Sequence, residues 1–124
     1  MLVRELLDAK GHDVYTISPD AKVYDALKLM AEKEIGALVV LEDGKMVGII
    51  SERDYARKVI LKGKNSQETI VREIMTSEVM HTSPEQKVHK CLSIMTKKHF
   101  RHMPVLEEDR IVGILSIGDV KSKF

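Results

Sequence analysis

Two segments of the chain carry the same polar side chains at the same spacing. Ser51 stands three residues before Asp54, and Ser116 three residues before Asp119. Each serine follows an apolar, β-prone run and opens a helix-compatible stretch, so it marks a junction of strand and helix. At such a junction the unpaired backbone N–H groups and the positive end of the helix dipole favour an anion. A phosphate can sit on the turn with the serine hydroxyl donating to it, and the aspartate one turn on can accept from hydroxyl donors. The same spacing is also that of a capping box, in which both side chains only satisfy the helix's own N–H groups. Near the second pair, Arg101 offers a fixed bidentate charge for phosphate and His102 a further donor. In the first, the cation is Arg53, inside the Ser-x-x-Asp segment itself.

Other chemistry finds less support. His99 and His102 stand three apart with Cys91 upstream, but the chain lacks the paired Cys/His spacings of structural zinc sites, and no metal site is expected. Cys91 falls on an apolar helix face and reads as a small core residue. No Ser/His/Asp arrangement, Walker loop or dinucleotide glycine turn is present, so catalytic residues are not assigned and the expectation is a protein that is not an enzyme. The 124 residues are 44% apolar and 31% charged, with a formal net charge of +1. That balance gives no basic surface for nucleic acid, and 4% aromatics gives no base-stacking platform. No apolar run reaches the roughly 20 residues of a membrane span, and the amino terminus lacks a signal-peptide layout. A lone cysteine fits a reducing compartment, and a cytoplasmic location is expected.

The elements that position these residues are written twice. Shifted by 65 residues, segment 18–59 aligns with 83–124 without a gap, with 16 identities in 42 pairs. Ser18-Pro19 lies over Ser83-Pro84, Val40-Leu41-Glu42 over Val105-Leu106-Glu107, and Val47-Gly48-Ile49 over Val112-Gly113-Ile114. A fainter echo, at an offset of 68, joins Val3-Arg4-Glu5-Leu6-Leu7 to Val71-Arg72-Glu73-Ile74-Met75. The division is therefore repeat 1 with an N-terminal helix over 1–61, a polar linker over 62–70, and repeat 2 over 71–124.

Within each repeat, Val14 to Ile17 and Val79 to Thr82 predict a short strand before a Ser-Pro turn. Val23, Ala26, Leu27 and Met30, and again Val88, Cys91, Leu92 and Met95, trace one face of a helix. Ala37 to Leu41 and Met46 to Ile50 flank Asp43-Gly44, a hairpin signal; Met103 to Leu106 and Ile111 to Leu115 flank Glu108-Asp109. A closing helix is expected over Glu52 to Leu61, and the chain ends at Phe124 as its counterpart would form. The pattern is β-α-β-β-α twice, and a unit of about 50 residues buries too little apolar surface to stand alone.

Gly48-Ile49-Ile50-Ser51-Glu52-Arg53-Asp54 and Gly113-Ile114-Leu115-Ser116-Ile117-Gly118-Asp119 resemble the signature of cystathionine-β-synthase (CBS) domains. Ser-Pro-Asp-Ala-Lys-Val, Ser-Pro-Glu-Gln-Lys-Val and Arg101-His102-Met103-Pro104-Val105 are similar to the same family. The resemblance covers nearly the whole chain and is nearest to small stand-alone prokaryotic CBS pairs. It implies an α/β (α+β) fold of two β-α-β-β-α repeats packed sheet to sheet with pseudo-two-fold symmetry, a Bateman module. It also implies a regulatory, energy-sensing role in signal transduction, as a homodimer with adenosyl ligands in clefts between the repeats. AMP, ADP, ATP and NAD, and in some members S-adenosylmethionine, are such ligands; the nucleotide is a regulator and not a catalytic cofactor, and a separate effector protein is the implied partner.

By that resemblance the nucleotide-binding set is Ser51, Arg53, Asp54, Arg101, His102, Ser116 and Asp119, with the aspartates accepting from the hydroxyls of the ribose. The adenine would lie among Thr16, Ile17, Gly36, Ala37, Leu38, Thr82, Met103 and Pro104, all of which a plain core also explains. Where the second repeat has Arg101-His102, the first has Gly36-Ala37, so Arg101, His102, Ser116 and Asp119 are the preferred phosphate-facing group. The alternative is a ligand-free interaction module whose Ser-x-x-Asp segments only cap helices.

Overall fold

The apolar helical faces of the two repeats become α2 (Val23–Lys33) and α5 (Val88–Lys98) in a computed structural model that describes residues 1–123. Each buries its face, Val23, Ala26 and Met30 in one and Val88, Cys91 and Met95 in the other. Both end on a left-handed residue, Glu34 (φ 55°) and His99 (φ 62°), so the two helices stop at matching positions. After each helix comes a hairpin: β2 (Ala37–Glu42) with β3 (Lys45–Ser51), and β4 (His102–Glu107) with β5 (Arg110–Ser116). Both turns place two consecutive residues at positive φ, Asp43-Gly44 and Glu108-Asp109, which fits the right-handed twist of the strands. The pairing shifts register at Val40/Leu41 and at Val105/Leu106, the same point of each hairpin.

The short first strands differ. β1 (Thr16–Ile17) runs parallel to β2, whereas the expected strand over Val79 to Thr82 contracts to one bridge, Thr82 with Val105. The cause is chemical. Val39 donates its N–H to the Tyr15 carbonyl at 3.3 Å, and the matching residue, Pro104, has no N–H to give. The closing helix of the first repeat also departs from expectation: α3 (Glu52–Tyr55) passes into a π-helical turn over Ala56–Ile60. Its counterpart α6 (Ile117–Lys121) does form, and Phe124, the end of the second repeat, lies outside the described residues.

The lead-in helices, α1 (Val3–Lys10) and α4 (Val71–Ile74), decide which residues pack together. One compact unit is Met1–Val14 with the chain from Val79 onward; the other is Tyr15–Glu78. Each lead-in segment thus joins the other repeat's Ser-Pro turn. Val3 and Arg4 donate to Gln86 and Pro84, and Val71 and Arg72 donate to Ala21 and Pro19, all four at 2.8 Å. In the first unit Val3, Leu6 and Leu7 join Val88, Met95, Met103, Leu115 and Val120 in one core. In the second, Val71 and Ile74 join Val23, Met30, Leu38, Ile50 and Val59. Each fully buried Leu or Val contributes roughly 1.5–3 kcal/mol, so helices this short are held by packing and not by their own propensity. The sequence repeat and the packed unit are different sets of residues. The stretch assigned as linker packs on the second unit, where Thr69 is buried and its carbonyl accepts from Val23 N.

Two glycines of the repeated signature permit this docking. A Cβ on Gly113 would lie 2.6 Å from a methyl of Leu7. On Gly48 it would lie 2.8 Å from both the Met75 sulfur and the Thr76 carbonyl oxygen. An arginine then clamps each lead-in helix at the rim: Arg4 to Glu85 and Glu107, and Arg72 to Asp20 and Glu42. The acidic partners hold both guanidinium pKa values above the ordinary arginine value, although exposed pairs of this kind add little stability.

Candidate functional site

Ser51 and Ser116 end β3 and β5 in extended conformation, and the chain turns directly into α3 and α6. Both Ser-x-x-Asp segments form capping boxes. Asp54 N donates to Ser51 Oγ at 3.2 Å and Ser51 N to Asp54 Oδ2 at 3.0 Å. In the second repeat Asp119 N donates to Ser116 Oγ at 3.0 Å and Ser116 N to Asp119 Oδ2 at 2.9 Å. The caps therefore use one carboxylate oxygen of each aspartate. What reaches the other oxygen separates the two sites.

Asp54 is enclosed. Lys58 lies 3.0 Å from its Oδ1 and Thr76 Oγ1 donates to the same atom at 3.3 Å, while the Ser51 hydroxyl donates to Oδ2 at 3.1 Å. Its side chain is 11% exposed. Asp119 is more open, at 28%, and both the Ser116 N–H and the Lys10 ammonium (3.0 Å) meet Oδ2. Among the described residues no hydrogen bond uses Asp119 Oδ1. Burial pushes the Asp119 pKa up, but the Ser116 N–H and Lys10 outweigh it and hold the carboxyl below its ordinary value. An ionised carboxylate with an uncommitted oxygen is an acceptor for hydroxyl donors.

The start of each hairpin is tied to the signature beside it. The Arg101 carbonyl accepts from Ile117 N at 2.8 Å, and His102 pairs with Ser116 across β4 and β5. Gly36 likewise accepts from Glu52 N at 3.0 Å, and Ala37 pairs with Ser51. The four residues Arg101, His102, Ser116 and Asp119 are thus gathered at one end of one hairpin, as Gly36, Ala37, Ser51 and Asp54 are in the other unit. Arg101 is exposed and His102 half-buried. Burial lowers the His102 pKa; the charge of Asp119 opposes this, and Arg101 and Lys10 reinforce it. Arg53 is an exposed residue of α3.

The residues assigned to an adenine wall are less uniform. Leu38 and Met103 lie wholly inside the two cores, 0% and 1% exposed, and their side chains have no surface to offer a base. Ala37 and Pro104 are buried as well, Thr16 is exposed, and Ile17, Gly36 and Thr82 are half-buried. Gly36 lines an open groove of about 640 Å³ between α2 and α3, with Leu27, Met30, Ile35, Glu52 and Tyr55. Cys91 is buried, with its thiol pKa raised by burial, and no cluster of three metal-ligating side chains occurs among the described residues.

Lys10, Lys58 and Thr76 are contacts of the signature aspartates that motif reading missed. Lys10 reaches Asp119 from α1, far away in sequence, and Lys58 lies one turn past Asp54. A cation at i+4 from Asp54 is a signal the sequence did offer.

The CBS domain family model matches residues 3–61 and 71–124. The chain belongs to the CBS-domain family. Its fold is similar to a putative signal-transduction protein with CBS domains from Burkholderia ambifaria. That likeness has a TM-score of 0.96 at 44% identity, covering 99% of this chain and 93% of that one. A mitochondrial CBS-domain protein of Arabidopsis thaliana, CBSX3, is 44% identical over 106 residues, 82% of this chain and 52% of the relative, so the chain spans about half its length. The CBS domain pair of protein MJ0100 is similar at 27% identity and a TM-score of 0.89, covering 100% of this chain and 95% of that one. It was solved in complex with 5'-methylthioadenosine and S-adenosylmethionine. The CBS signature thus occurs twice in one chain of mixed helix and strand, and no described helix is long and apolar enough to cross a membrane.

Proposed function

We propose that the chain is a non-catalytic regulatory module that binds an adenine nucleotide (AMP, ADP, ATP or NAD) at the signature of its second repeat. The ribose hydroxyls donate to Asp119, and Arg101 and His102 meet the phosphates. Binding is then passed on by a change of conformation or of dimer arrangement to a separate effector, in the cytoplasm. The observation that supports this reading is a carboxylate held ionised near Arg101 and His102, whose Oδ1 takes no hydrogen bond among the described residues. The adenosyl ligands of the MJ0100 CBS pair support the same class of ligand. The same reading includes a homodimer, Arg53 and the adenine-wall residues Thr16, Ile17, Gly36, Ala37, Thr82 and Pro104.

Isothermal titration of the purified chain with AMP, ADP, ATP, NAD and S-adenosylmethionine tests it. Saturable heat with at least one is expected; no heat and no thermal shift with any at millimolar concentration would end the reading. Sedimentation velocity with and without the ligand reads the dimer. The second reading, an interaction module whose Ser-x-x-Asp segments only cap helices, is favoured by the two complete capping boxes. It predicts that protein purified from cells carries no nucleotide by mass spectrometry.

A further inference from the structure

We infer that Lys10 binds the anionic group of the ligand and sets the preference of the second-repeat signature for phosphorylated nucleosides over bare ones. This rests on the functional reading above, in which the ribose is anchored on Asp119. Lys10 lies in the last turn of α1 and is brought to the site by the burial of Val3, Leu6 and Leu7. Its ammonium is 3.0 Å from Asp119 Oδ2 and 2.7 Å from the Ile114 carbonyl oxygen. An ammonium has three donors, and those two contacts leave one. The Lys10 side chain is 27% exposed, so its charge is partly shielded from water and acts more strongly than one on an open surface.

The charge count around the carboxylate points the same way. Lys10 and Arg101 bring two fixed positive charges to the surroundings of Asp119 and His102, against the single negative charge of Asp119. A dianionic phosphate balances that excess, and an uncharged sugar does not. Lysine suits the task because its compact charge on a flexible stem can turn from Asp119 towards an incoming oxygen while staying within reach of both. In the other unit Lys58 makes the matching pair of contacts, to Asp54 Oδ1 at 3.0 Å and the Ile74 carbonyl at 2.9 Å, but it is more exposed, at 43%, and its hairpin begins with the uncharged Gly36-Ala37 in place of Arg101-His102.

The test compares AMP with adenosine on the full chain, by calorimetry at one pH and ionic strength. Lys10→Met is expected to weaken AMP by about tenfold or more and adenosine by less than about twofold. Lys10→Arg should keep most of the AMP affinity, and Lys45→Met, an equal change of charge at the β2–β3 turn, should alter neither. Thermal melts come first, with Lys10→Gln as substitute should Lys10→Met fail to fold. An equal loss for both ligands would overturn the inference, leaving Lys10 to position Asp119 only, and no loss for either would overturn it too. In both cases the wild type still binds, so the functional reading survives. A wild-type chain that binds neither AMP nor adenosine removes the inference and its premise together.

Discussion

Asp54 and Asp119 accept the N–H of the serine three residues before them at 3.0 and 2.9 Å, and each faces a lysine at 3.0 Å. The lysines come from opposite sides. Lys58 sits one turn beyond Asp54 and ties it to the lead-in helix through the Ile74 carbonyl; Lys10 sits on the lead-in helix and ties it to Asp119 and the Ile114 carbonyl. Thr76 adds a further donor to Asp54. Two copies of one motif have thus become a closed site and an open one. The cap is common to both, so the cap is architecture, and ligand recognition has to depend on the second carboxylate oxygen.

The sharpest way to break this comparison is to remove each carboxylate in turn. Asp119→Ala should weaken nucleotide binding by about 1.5–3 kcal/mol, the worth of a hydrogen bond to a charged group, and should lower the melting temperature modestly. Asp54→Ala should do the reverse. It removes the acceptor of Thr76 and one of the two acceptors of Lys58, so stability falls by roughly 1–3 kcal/mol while nucleotide affinity stays nearly constant. Titration and melting of both variants separate the outcomes. Equal affinity losses would mean that the two signatures bind alike.

The comparison also shows what the sequence could and could not carry. The 65-residue register, both helical faces and both hairpins follow from apolar periodicity, because that periodicity is the physical cause of those elements. The exchange of lead-in helices does not follow. Val3, Leu6 and Leu7 declare an apolar face, but either repeat offers an apolar surface to receive it. Lys10 was hidden for that reason: its place beside Asp119 depends on where α1 docks. The contracted strand at Thr82 was legible in Pro104, whose missing N–H removes a ladder bond that Val39 makes.

A second contrast lies in the signature glycines, both of which face a lead-in segment. Gly48→Ala should cost about 2–3 kcal/mol, because the added methyl meets the Thr76 backbone as well as Met75. At Gly113 the obstacle is the Leu7 side chain alone, which can turn, so Gly113→Ala should cost about 1–2 kcal/mol. Denaturant melts of the two variants rank them. A larger loss at Gly113 would mean that Leu7 is the more rigidly held neighbour.

His102 has Ala37 as its counterpart, so only one of the two units should sense mild acid. Its folded pKa is lowered, first by burial, and the unfolded chain therefore takes up the proton more readily. By linkage, the stability from a neutral His102 is fully present above its folded and unfolded pKa values and declines as pH falls through the ordinary value of 6.5 towards the folded one. Between pH 7.5 and 5.5 the melting temperature should drop, and His102→Gln should flatten that part of the curve. A bound phosphate reverses the preference by favouring the charged ring, so nucleotide affinity should rise over the same interval in the wild type more than in His102→Gln.

The smallest effect belongs to the hairpin turns, where the copies differ in chemistry but not in shape. Asp43-Gly44 places its second residue at φ 78° on a glycine, while Glu108-Asp109 holds two side-chain-bearing residues at φ 51° and 64°. Left-handed backbone is unfavourable for residues with a Cβ, and glycine adopts it without that penalty. Asp109→Gly should therefore stabilise the protein, by about 0.5 kcal/mol once the added freedom of the unfolded chain is subtracted. Gly44→Asp, the reciprocal change, should destabilise it by about 1 kcal/mol, since nothing lies within 4 Å of the added Cβ and only backbone strain opposes it. Opposite signs in the two melts would show that the turns share one conformation and that the first repeat carries the better residue for it. A loss in both would mean that the Asp109 side chain supports its own turn.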